Sequence, residues 1–85
     1  MLNLTLQRND SIESVLPTVE RAMHSGELCR LHNINYLGHL QLAALIVLAM
    51  SQNLLDTATG QIFQPHPGFR LVGIDDQGVT RTLSR

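Results

Sequence analysis

The stretch that decides the architecture is Gly26-Glu27-Leu28-Cys29-Arg30-Leu31-His32-Asn33-Ile34-Asn35, followed almost at once by the segment Leu37–Met50. Glu27–Asn35 places Leu28, Cys29, Leu31 and Ile34 in a short apolar run of the length and composition of a buried strand. Leu37–Met50 then carries Leu40, Leu42, Ala43, Ala44, Leu45, Ile46, Val47, Leu48 and Ala49, with no charged residue between them. As a helix, this segment is apolar nearly all the way round, and such a helix is covered on most of its sides. A buried strand leading into an apolar helix predicts an α/β or α+β domain.

Working toward the N-terminus, Ile12, Val15, Leu16, Val19, Ala22 and Met23 fall on one helical stripe that Gly26 terminates. Pro17 lies inside it, so the helix is either kinked or begins near Leu16. Asn9-Asp10-Ser11 reads as a turn and helix start, with Asp10 and Glu13 at capping-box spacing. Before it, Leu2, Leu4 and Leu6 alternate with Asn3, Thr5 and Gln7, the period of a short strand.

Toward the C-terminus, Leu54-Leu55 and Gln61-Ile62-Phe63 flank Asp56-Thr57-Ala58-Thr59-Gly60 and predict a hairpin. Pro65-His66-Pro67-Gly68 interrupts regular structure. Phe69–Ile74 reads as a strand, Asp75-Asp76-Gln77-Gly78 as a tight turn, and Val79–Leu83 as an alternating strand beyond it. The predicted fold is therefore two helices packed on a small sheet, built from Glu27–Ile34, Phe69–Ile74 and Val79–Leu83, with C-terminal hairpins.

The chain has 85 residues, 44% of them hydrophobic and 15% charged, with a net charge of −1. That length suits one domain, 1–85, and a domain so small buries only about 63% of its unfolded surface. Its core leaves a thin stability margin, which favours oligomerisation or a partner. The composition is too apolar for a disordered tail. The positive charges at Arg8, Arg21, Arg30, Arg70, Arg81 and Arg85 form no cluster, which argues against nucleic acid as a partner. The longest apolar run, Leu42–Met50, is far too short to span a bilayer, so no membrane partner is expected. No signal peptide is read, and the single Cys29 fits a reducing compartment; cytoplasm is the expected location.

The order helix, strand, helix, hairpin, strand resembles the middle of a MoxR-type AAA+ ATPase module, a group related to the dynein and cobaltochelatase ATPases. The resemblance covers residues 14–76. It is carried by Gly26–Asn35 in the place of the Walker B strand and its Ile-Asn sequel, by Asp56–Gly60 as a Thr-Gly hairpin, by Pro65-His66-Pro67-Gly68-Phe69-Arg70, and by Leu71–Asp76 as the sensor-1 strand. The family places an acidic pair at the end of Walker B, one carboxylate for magnesium and one for the attacking water. His32 and Asn33 stand there instead. Asp76 falls where the family has a polar sensor-1 residue, and an acid there repels a γ-phosphate. There is no Gly-x-x-x-x-Gly-Lys-Ser/Thr loop, and with no lysine in the chain none can be formed. What the resemblance implies is thus an AAA+ core fragment that has lost hydrolysis.

The remaining chemistry-bearing residues support bland readings. His32, His39 and Cys29, with Asp75 or Asp76, lack the tight pairs or Cys-x-x-Cys knuckle that zinc favours. Cys29 with His32 suggests a nucleophile and base, but Arg30 points to the opposite face of a strand and cannot activate the thiol. Asp75-Asp76 before Gln-Gly is a turn former, and His66 between prolines stiffens its loop. The expected function is non-enzymatic: a small interaction protein, self-associating or bound to a protein partner, without cofactor or metal. Leu40, Ala44, Leu45, Val47 and Leu48 are the interface candidates. The alternatives are a nucleotide-binding or regulatory subunit of an AAA+ assembly, and a metal- or thiol-dependent enzyme centred on Cys29, His32 and His39.

Overall fold

In the computed structural model, which describes residues 1–84, the elements run β1 (Leu2–Thr5), α1 (Ile12–Ser25), β2 (Leu28–His32), a 3-10 turn at Ile34–Tyr36, α2 (His39–Met50), β3 (Leu54–Leu55), β4 (Ile62–Phe63), β5 (Arg70–Ile74) and β6 (Thr80–Thr82). Strands β1, β2, β5 and β6 form one mixed sheet in that order, with the first three parallel and β6 antiparallel to β5. β3 and β4 form a separate hairpin. The fold is the α+β arrangement expected, with the N-terminal strand added to the sheet as its parallel edge.

Because β1, β2 and β5 follow one another in a single direction, right-handed crossovers put α1 and α2 on the same face. Cys29, Leu31 and Leu71 point into that face and are buried with Val15, Val19, Ala22 and Met23 of α1 and with Leu45 and Ala49 of α2. The opposite face carries no helix. Parallel strands usually need both faces covered; here the register rows Asn3–Arg30–Val72–Thr82 and Thr5–His32–Ile74–Thr80 offer enough polar side chains to meet water.

Three local expectations are revised. α1 begins at Ile12 and runs unbroken through Pro17. Proline there cannot donate to the Glu13 carbonyl and crowds it, but both residues are exposed, so that carbonyl is open to water. The cap is made by Ser11 and Ser14, whose Oγ accepts the Ser11 N–H at 3.1 Å, while Asp10 Oδ2 accepts the Gln7 N–H and closes the preceding turn. α2 begins at His39 instead of Leu37, since Asn33 adopts a left-handed conformation (φ 60°) and the 3-10 turn follows it. Asparagine tolerates that conformation better than most residues.

The hairpin is fastened to α1. The His24 ring stacks on Phe63 with centroids 4.1 Å apart, His24 Nε2 lies 3.0 Å from Asp56 Oδ2, and Thr57 Oγ1 donates to Glu20. Gln41 Oε1 accepts the Ile12 N–H at 2.7 Å and ties the start of α1 to α2.

Candidate interaction surface

The surface is built on α2. Along its outward side Leu40, Ala43, Ala44, Val47 and Met50 are exposed, at the spacing i, i+3, i+4, i+7, i+10 of one helical face. Leu40 is 87% exposed and Val47 66%. The helix contains no charged residue, and all five side chains of the stripe are apolar.

Of the candidates read from the sequence, Leu40, Ala44 and Val47 lie on this stripe. Leu45 does not: it is fully buried among the core side chains and is corrected from surface to core residue. Leu48 is half-buried on the flank, where it lines a small apolar recess with Leu16, Leu54 and Phe63. Ala43 and Met50, absent from the candidates, complete the stripe; their helical spacing from Leu40 was the available signal. The cross-strand pair Leu55 and Ile62 forms a second exposed apolar spot on the hairpin.

The residues weighed for catalysis are dispersed. Cys29 faces the core and His32, three positions on, faces the open side of the sheet, so the pair does not assemble. Burial pushes the Cys29 thiol up to about 11, away from reactive thiolate. His32 Nε2 approaches Asn3 Oδ1 at 3.4 Å. Among the described residues, no group of three or more His, Cys, Asp or Glu side chains comes together to hold a metal ion.

The carboxyl ends of the parallel strands, where open α/β sheets bind ligands, require a reversal in strand order to open a crevice. β1, β2 and β5 show no such reversal. The polar groups at that end stitch loops together instead: Asn33 Nδ2 donates to the Leu6 carbonyl, Asn35 Oδ1 accepts the Asp76 N–H, and Asp75 Oδ1 accepts the N–H groups of Gln77 and Val79.

The fold and surface define a small α+β domain with one helix-covered face and an apolar outer helix. Compared with known proteins, the chain matches no family model, no curated protein and no solved structure.

Proposed function

We propose that the protein is a non-enzymatic interaction module that self-associates through the outward face of α2. The observation that carries this reading is Leu40 and Val47, two large aliphatic side chains standing in water on a helix without a charge. Burying each removes unfavourable apolar hydration worth about 1.5–3 kcal/mol at full burial.

A second copy fits the face better than an arbitrary partner. Leu40, Ala43, Ala44 and Val47 read large, small, small, large about the midpoint between the two alanines. A twofold axis through that midpoint sets Ala43 against the other copy's Ala44 and Leu40 against its Val47, the self-complementary pattern of an isologous dimer. Alanines at the crossing let the helices approach to the close end of the usual 8–10 Å separation. The helix is about 18 Å long, at 12 residues. A face of that length stays below the ~1,200 Å² of total burial that marks stable complexes, so the association is weak and concentration-dependent.

Kinship with an AAA+ core is part of the same proposal. It is supported by the segment order and by the parallel adjacency of β2 and β5, the two strands matched to Walker B and sensor 1. Sedimentation equilibrium over a concentration series tests the self-association. The expected result is a mean mass rising from monomer toward dimer.

A further inference from the structure

Beyond the C-terminal end of the α2 stripe, where Met50 reaches its edge, an open cleft of about 260 Å³ lies at the amino ends of the parallel strands. The Pro65–Arg70 segment, the C-terminal end of α2 and Ser84 enclose it. Besides the amides of Gln52 and Gln64, three side chains, His66, Arg70 and Ser84, keep hydrogen-bond donors after their structural bonds are counted.

His66 is held rigidly. Its main-chain N–H donates to the Met23 carbonyl at 2.7 Å, and its ring sits hard against Gly26. Its Nδ1 accepts the Gly68 N–H at 2.9 Å. A nitrogen that accepts cannot carry the proton of a neutral imidazole, so the proton lies on Nε2, which has no partner among the described residues. Arg70 uses Nη1 to donate to the Pro67 and Phe69 carbonyls, at 3.1 and 2.7 Å. Those bonds orient the guanidinium while leaving its other N–H groups uncommitted, and no Asp or Glu among the described residues pairs with it. Ser84 Oγ accepts the Leu71 N–H at 2.8 Å, which leaves its own O–H to donate.

Among the described residues that line the cleft there is no Asp or Glu. Among the described residues the opposing field is the carboxyl end of α2, equivalent to about half a charge. Ser51 offsets part of it by donating its side-chain O–H to the Val47 carbonyl and its N–H to the Leu48 carbonyl. A full positive charge and neutral donors around a cleft with no Asp or Glu among its described lining favour negative ligands over cations.

We infer that this cleft binds a small molecule bearing an oxyanion, a phosphate or a carboxylate, through Arg70, the Nε2–H of His66 and the hydroxyl of Ser84. The cleft shares Met50 with the α2 stripe, but its three donors lie outside that stripe, so anion binding is tested separately from self-association.

The test is an NMR titration of the ¹⁵N-labelled protein with inorganic phosphate and, separately, succinate, each against potassium chloride at the same ionic strength. The amides of Gly68 and Leu71 report directly, because they donate to His66 and Ser84. The expected result is saturable shifts at these two amides with a dissociation constant of about 1 mM or tighter. Phosphate alone, succinate alone or both identify the oxyanion, and each supports the site. Arg70→Gln weakens binding at least tenfold, while Arg70→Lys, which keeps the charge, retains part of it. If neither anion moves these amides beyond the chloride control, or if folded Arg70→Gln binds like the wild type, the inference is overturned.

Discussion

Gly26 and His66 compete for one space: a β-carbon built on Gly26 would lie 2.7 Å from Cγ of the His66 ring, and Gly26 holds φ at 77°. The residue that ends α1 is therefore also the seat of the Pro65–Gly68 loop. Gly26→Ala suffers the left-handed backbone strain, ~1–2 kcal/mol, and a collision that costs roughly 1–3 kcal/mol more. Gly60→Ala, at φ 73° with open space around it, suffers the strain alone. Urea unfolding of the two variants checks this, and the Gly26 variant is expected to lose clearly more stability.

Leu45 and Val47 separate core from surface on a single helix. Leu45→Ala empties a fully buried site and is expected to cost about 2–5 kcal/mol. Val47→Ala removes exposed atoms and is expected to change monomer stability by less than about 0.5 kcal/mol. Denaturation curves recorded at low protein concentration distinguish the two.

Cys29 is expected to resist thiol reagents at neutral pH until the chain unfolds. Its folded pKa is raised to about 11 by burial, so the unfolded chain loses the thiol proton first. The stabilisation from keeping that proton is complete below the unfolded value and declines as pH rises through about 11. The checks are labelling by a chromogenic disulfide with and without denaturant, and an unfolding midpoint that falls on the alkaline side.

Asp56 gives the opposite limb. The Ala58 N–H, and after it His24 and the Thr59 N–H, hold its carboxyl below the ordinary range. Its contribution is present above the unfolded carboxylate value and is lost as pH falls through the folded one. Glu27, lowered by its bond from the N-terminal amine, acts in the same sense. Asp56→Asn should therefore shrink, without abolishing, the acid-side loss of stability in a pH series of thermal melts.

The legible parts of the fold were those whose signal is local. The α1 stripe, the Gly26 stop, the Asp56–Gly60 hairpin and the two C-terminal strands follow from periodicity and turn chemistry. The pairing of β1 with β2 was not legible, because Leu2 and Cys29 meet only after a crossover brings distant segments together. The inner and outer sides of α2 were equally hidden: when Leu40, Leu45 and Val47 are all aliphatic, only tertiary packing decides which one is buried. Sequence alone shows His66 between prolines only as a stiffener; the spare donors of His66 and Arg70 emerge from the hydrogen bonds to Gly68, Pro67 and Phe69.

The most direct measurement of self-association compares the wild type with Leu40→Glu/Val47→Glu by sedimentation equilibrium from low micromolar to millimolar concentration. The wild-type mass is expected to climb toward that of a dimer while the double variant stays monomeric with an unchanged unfolding midpoint. A wild type that remains monomeric throughout, or a double variant that still associates, would contradict the account.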